Sequence, residues 1–163
     1  MKLLAVATVL ILLGFSAPAR AACTGSDVTW LCTAGTTIAE INAAIAGSGD
    51  GATITMASGS YSWSSSLVFS TDKSTTLMCA STGSCVVTVG GPLWQWVNWG
   101  SSGKLYRISG FDFNDVPSYF IWLYATGSST ATLTSIRIDH NRFTVSNNGS
   151  DIITFGEVTG QST

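Results

Sequence analysis

The segment Arg107-Ile108-Ser109-Gly110-Phe111-Asp112-Phe113-Asn114 returns as Arg137-Ile138-Asp139-His140-Asn141-Arg142-Phe143-Thr144, with Arg, Ile and Phe recurring 30 residues apart. Farther along, Ile121-Trp122-Leu123 is echoed by Ile152-Ile153-Thr154 at an offset of 31, and Thr76-Leu77-Met78 lies about 30 residues before Tyr106-Arg107-Ile108. Consecutive segments in phase point to a repeating coil rather than a sandwich. One such coil cannot bury its apolar side alone. Coils stacked about 4.8 Å apart put Ile108 over Ile138 and Phe113 over Phe143 in a shared interior column.

The chain around the repeat reads as short strands. Ala52-Thr53-Ile54-Thr55-Met56, Leu67-Val68-Phe69, Thr76-Leu77-Met78, Val86-Val87-Thr88-Val89 and Phe120-Ile121-Trp122-Leu123 are separated by Gly, Ser, Thr and Asn. Alternation in the first of these sets Ile54 and Met56 on one side. His140 falls at the bend where Gly110 sits one coil earlier, a place for backbone geometry, and Asn141 belongs to the same bend. The length from residue 49 onward suits roughly four coils of this size. A single helix is predicted over Thr36–Ala46, with Ile38, Ile41 and Ile45 on one face. Thr36 or Thr37 can cap it, and Glu40 completes a capping box with Thr37 before Gly47-Ser48-Gly49-Asp50-Gly51 stops it. A short helix ahead of a long β region reads as a lid over one end of the stack.

Residues 1–21 read as an export signal. Lys2 starts it, Leu3 to Phe15 is an apolar run, and Ala19-Arg20-Ala21 supplies small residues at alternate positions for cleavage. The run is shorter than the roughly 20 residues that span a bilayer, so no membrane association is expected after cleavage. The mature chain, residues 22–163, is a single domain with five basic and nine acidic residues. That balance leaves no basic footprint for nucleic acid. All four cysteines follow the cleavage site, which suggests two disulfides in an oxidising compartment. Three pairings exist; the local pairs Cys23–Cys32 and Cys79–Cys85 are favoured, because each closes a short loop. The expected location is secreted or extracellular, with the periplasm and the cell surface as variants.

Ile38-Ala39-Glu40-Ile41-Asn42-Ala43-Ala44-Ile45, followed by Gly51-Ala52-Thr53-Ile54-Thr55-Met56-Ala57-Ser58-Gly59-Ser60-Tyr61, resembles the opening of proteins of the pectin lyase-like superfamily. Arg137-Ile138-Asp139-His140-Asn141-Arg142-Phe143 is similar to a coil sequence frequent in the same proteins. The resemblance covers about residues 35 to 160. It implies an all-β fold: a right-handed, single-stranded parallel β-helix, or solenoid, with an N-terminal capping α-helix. It also implies that the chain is the N-terminal part of a longer β-helix, because Gly156 to Thr163 reads as the start of another coil with nothing closing it. The alternative is a short form that self-associates through that open terminal coil. Many members cleave acidic polysaccharides as lyases or hydrolases, so an extracellular polysaccharide is the expected partner. Others are adhesins or tailspikes, and a non-catalytic structural or adhesive segment is the rival reading. No cofactor is expected, save calcium if the whole protein is a lyase. The superfamily's lyase signatures are not present, so no catalytic residue carries over.

Trp94 and Trp96 alternate in Pro92-Leu93-Trp94-Gln95-Trp96-Val97-Asn98-Trp99-Gly100 and offer flat faces for sugar rings, a surface that Tyr61 and Trp63 could extend. Arg107 and Arg137 share a register, and two guanidinium groups so close need an anion between them. A uronic-acid carboxylate would suit that place, and so would the chain's own Asp112 or Asp139. Asp112 lies one coil below Arg142, which predicts a surface ion pair. Asp112, Asp115, Asp139 and Asp151 are also the acids that glycoside hydrolysis or calcium would need, although bends use such residues for their own backbone. Neither the cysteine spacing nor the single histidine suggests a metal site. Asn148-Gly149-Ser150 fits an N-glycosylation acceptor as well as a plain turn. Exported protein is expected to begin at Ala22, and intact mass shows whether residues 1–21 have gone.

Overall fold

A computed structural model describes residues 22–69, 73–90, 94–97, 104–116, 120–125, 136–145 and 153–157; for 94–97, 122–125 and 154–157 only the backbone is described. The export segment, Asp151 and Asn148-Gly149-Ser150 lie outside these residues. The chain opens with a hairpin, β1 (Cys23–Ser26) antiparallel to β2 (Thr29–Cys32), followed by α1 (Ile38–Gly47). Then come β3 (Ala52–Met56), β4 (Gly59–Trp63), β5 (Thr75–Cys79), β6 (Cys85–Val89) and β7 (Trp94–Val97). The last six are β8 (Tyr106–Ser109), β9 (Phe111–Val116), β10 (Ile121–Ala125), β11 (Ile136–Asp139), β12 (Arg142–Val145) and β13 (Ile153–Glu157).

These strands assemble as a β-solenoid with three sheets. Sheet A runs β1-β2-β3-β5-β8-β11, sheet B runs β4-β6-β9-β12 and sheet C runs β7-β10-β13, and every pairing except β1 with β2 is parallel. From β3 through β5 and β8 to β11 the chain returns to sheet A three times, so about three turns link these four strands among the described residues. Ile108 pairs with Ile138 and Phe113 with Phe143, as the 30-residue repeat requires. In sheet C the partner of Ile121 is Ile153, one residue beyond the expected Ile152. Turns of unequal length separate the strands, so the offset changes while the pairing stays parallel.

Alternation along each strand builds the core. Ala52, Ile54 and Met56 are buried while Thr53 and Thr55 are half-exposed, and Thr75, Leu77 and Cys79 repeat the pattern one coil on. The column Ile54, Leu77, Ile108 is fully buried. Beside it, Phe113 stacks on Phe143 with ring centroids 5.4 Å apart, and Phe120 meets Phe113 edge-on at 5.0 Å. Such pairs add about 0.5–1.5 kcal/mol beyond their burial. Tyr61 and Trp63 do not extend an outer aromatic surface. They point inward, 3% and 1% exposed, and Trp63 packs on Phe111 and Phe113.

The helix starts at the predicted cap. Thr37 accepts from the Glu40 N–H, and the Glu40 carboxylate accepts from the Thr37 N–H at 2.9 Å, closing the box. Ile38, Ile41, Ala44 and Ile45 join the solenoid core, and α1 packs on β1 and β3. At its far end Lys73 Nζ donates to the carbonyls of Ala46 and Ser48, a favourable place for a cation. Leu67-Val68-Phe69 forms only a single β-bridge, at Leu67, and no longer strand. On one side of it Asn42 of α1 donates to the Ser66 carbonyl and accepts from the Val68 N–H. Leu67 and Phe69 still reach the core.

Both local disulfides form. Cys23–Cys32 ties β1 to β2, and Cys79–Cys85 closes the corner between sheets A and B. The next corners turn at Gly110 (φ 86°) and His140 (φ 57°), the two aligned bend residues. Asn141 fastens the second of them, donating to the Ile108 carbonyl and accepting from the Phe111 N–H, both at 2.9 Å. Gly25 is required for another reason: a Cβ there would lie 2.3 Å from the Thr29 carbonyl oxygen.

The Thr75 hydroxyl is buried without a hydrogen-bond partner, whereas Phe113 is at the centre of the aromatic stack. Urea denaturation is expected to show Phe113→Ala losing about 3–5 kcal/mol. Thr75→Val, which removes an unsatisfied group, is expected to hold or raise stability.

Candidate functional site

The outer face of sheet A carries the most charged cluster among the described residues. Parallel pairing aligns Arg107 with Arg137 and Ser109 with Asp139. Like charges in neighbouring strands repel, and the alignment supplies its own remedy. Asp139, two residues beyond Arg137, points to the same side and accepts from Arg107 Nε and Nη2, each at 2.8 Å. Arg137 Nη2 reaches the same carboxylate at 3.0 Å, and His140 Nδ1 lies 2.9 Å from it. Ser109 Oγ accepts from Arg107 Nη2 at 3.3 Å. One carboxylate therefore serves two guanidinium groups, and of the two aspartates expected between the arginines Asp139 takes the place.

The two arginines are not equivalent. The Arg107 side chain is 27% exposed and clamped by a bidentate bond, whereas Arg137 is 59% exposed with a single contact to Asp139. Arg137 thus presents most of its donors outward, and the group of two arginines and one aspartate has a net positive charge. The Arg107 guanidinium, helped by His140 and Arg137, holds the Asp139 carboxyl well below the ordinary aspartate range. In return, Asp139 pushes the Arg107 guanidinium up.

Around the corner, on the outer face of sheet B, Arg142 lies over Asp112 one coil below, as the register predicts. Arg142 Nε donates to Asp112 Oδ1 at 2.7 Å, and Nη2 donates to the other oxygen. Asp112 is buried beneath that side chain, and its presence raises the Arg142 guanidinium. Asp112 does not neutralise Arg107 or Arg137; it serves Arg142. Asp112 and Asp139 are thus both engaged by arginines, and Asp115 sits at a positive-φ position (56°) in β9. Among the described residues no group of three or more His, Cys, Asp or Glu is gathered as for a metal ion.

Trp94 and Trp96 belong to β7 in sheet C, away from the arginines of sheet A. Their side chains lie outside the described residues. The register aligns Trp94 with Ile121 and Trp96 with Leu123 in sheet C. The expected tryptophan and arginine contacts therefore belong to two different walls of the solenoid. Sequence reading missed a further ion pair, Lys104 to Asp50 at 2.6 Å, between residues 54 apart along the chain. No local pattern announces it. Lys104, with the Ser74 N–H, lowers the Asp50 carboxyl.

The chain matches no protein-family model, no curated protein and no solved structure. The solenoid stands on its strand register, and the two disulfides fit an oxidising, extracellular-type environment. No helix among the described residues is long and apolar enough to cross a membrane.

Asp139 is depressed in the folded state, whereas in the unfolded chain it titrates near 3.9. The unfolded state thus binds more protons in acid, and the stabilisation is whole above about pH 4 and is lost as pH falls further. Denaturation midpoints between pH 6 and pH 2.5 are expected to decline less steeply for Asp139→Asn than for the parent chain.

Proposed function

We propose that the chain is an exported β-solenoid that binds an acidic extracellular polysaccharide, with Arg137 as its principal contact. The observation that carries this reading is the paired arginine column on sheet A, in which Asp139 restrains Arg107 while Arg137 extends into solvent. A planar guanidinium with outward donors suits the carboxylate of a uronic acid, which it can grip with two parallel bonds. The parallel pairing of β8 and β11 sets the two arginines side by side for that grip. Two disulfides fit export, and the superfamily resemblance of the capping-helix segment and of the Arg137–Phe143 coil supports a polysaccharide ligand.

The reading is one of binding. Lyase or hydrolase chemistry needs a free base or a pair of carboxylates flanking the bond, and Asp112 and Asp139 are each held by arginine. Calcium enters only with a lyase reading.

Affinity electrophoresis of the mature chain tests the binding. Gels containing polygalacturonate or alginate are expected to retard it and a neutral glucan is not, with the retardation fading as salt rises. Arg137→Gln should weaken the retardation several-fold, whereas Trp94→Ala with Trp96→Ala should leave it. Equal mobility in every gel, or indifference to Arg137→Gln, sinks the proposal. Loss of binding with the tryptophans alone would move the site to sheet C.

A further inference from the structure

His140 stands at a bend that requires no ring. Its φ of 57° falls in the left-handed region, and one coil earlier the same bend is made by Gly110, which adopts that backbone freely. The bonds that fasten the corner come from Asn141, which donates to the Ile108 carbonyl and accepts from the Phe111 N–H. The imidazole turns instead to the arginine cluster, where Nδ1 lies 2.9 Å from Asp139 Oδ2.

That contact fixes where the proton of the ring sits. Asp139 is held ionised, chiefly by Arg107, and a carboxylate only accepts. Nδ1 therefore carries the hydrogen, and the neutral ring presents the Nε2 lone pair at its other end. The side chain is 61% exposed, and no group among the described residues bonds Nε2. A lone pair there repels an anion. Protonation turns it into an N–H donor on a cation.

Asp139 Oδ2 is also crowded. It receives Arg107 Nη2 at 2.8 Å and Arg137 Nη2 at 3.0 Å besides the imidazole, three donors for two lone pairs. Arg107 has a second bond to Oδ1, so Arg137 is the guanidinium that leaves more easily. A protonated ring bonds the carboxylate more strongly and frees Arg137 further. The ionisable groups that the described residues bring against the ring are Asp139 and Arg137 of β11 and Arg107 of β8. Past the corner, Arg142 and Asp112 are paired with each other. Two arginines against one aspartate leave one positive charge, and a protonated ring makes two.

Building on the reading of Arg137 as a polyuronate contact, we propose that His140 is a second contact for the same ligand and makes its binding pH-dependent. In mild acid, Nε2–H and the freed Arg137 guanidinium hold the carboxylates of the ligand together. Near neutrality Arg137 holds them alone. A uronate carboxyl stays ionised above about pH 5, so the ligand keeps its charge while the ring changes.

Trigalacturonate is the probe, titrated calorimetrically into the mature, untagged chain at pH 7.5 and pH 5.5 at fixed ionic strength. Affinity is expected to rise about fivefold in acid, the size of one exposed ion pair. His140→Asn, a residue that tolerates positive φ, should bind equally at the two pH values. The α-amino terminus also titrates in this range, and this variant tells the two apart. The chain holds one histidine, so its ring gives one set of NMR signals, and their titration needs no variant. Saturation with trigalacturonate should move the midpoint to higher pH, by linkage. Far-UV circular dichroism confirms that the variant is folded. Equal affinity at both pH values, an acid gain that survives His140→Asn, or a midpoint that the ligand leaves in place overturns the proposal while the Arg137 reading stands. No binding at either pH, or binding indifferent to Arg137→Gln, removes the Arg137 reading and this proposal with it.

Discussion

Parallel pairing between successive coils is the constraint on which everything else in this molecule depends. A single turn of the chain has an apolar inner lining and no second layer to cover it, so its interior is completed only by the turns above and below. Ile54, Leu77 and Ile108 are fully buried because each lies between neighbours of its own kind. The hairpin β1–β2 and helix α1 are joined to the same core through Cys32, Ile41 and Ile45.

The same pairing governs the exterior. In-register parallel strands bring residues of equivalent position side by side, so a repeated arginine meets its own repeat. The chain resolves this with acids set two residues along or one coil away. Asp139 takes Arg107 and Arg137, and Asp112 takes Arg142. The charge arrangement on the surface is therefore a consequence of the register, and any ligand must engage donors that these aspartates leave outward.

Much of this could be read from the residues before any coordinates. The Arg-Ile-Phe repeat specified the neighbours in sheets A and B, the Thr37–Glu40 pair marked the helix start, and the short cysteine separations favoured the observed disulfides. Other elements were illegible for physical reasons. β1 and β2 hold polar Thr, Gly and Ser that carry no strand periodicity, and they become strands because β3 offers an edge. Gly59-Ser60-Tyr61-Ser62-Trp63 reads as a polar stretch with exposed aromatics, yet its alternate residues are the inner lining of sheet B. Alternation shows that Tyr61 and Trp63 share a side and not which side. The Arg107–Asp139 clamp was among the alternatives, whereas the difference in exposure between Arg107 and Arg137 needed the corner at His140 to become visible.

The coils differ in length while their strands stay paired. The chain advances 23 residues from Ala52 to its partner Thr75, 31 from Thr75 to Tyr106 and 30 from Tyr106 to Ile136. The stretches between successive sheet A strands take up these differences, the shortest having no sheet C strand between β4 and β5, so insertions and deletions can accumulate there with no change in the ladder. Relatives could thus drift apart in spacing far faster than in shape, and a comparison that aligns residues in fixed steps would lose them first. The bends are also where new segments could be grafted, since a loop added between two strands lengthens one turn and leaves the stacking of its neighbours intact.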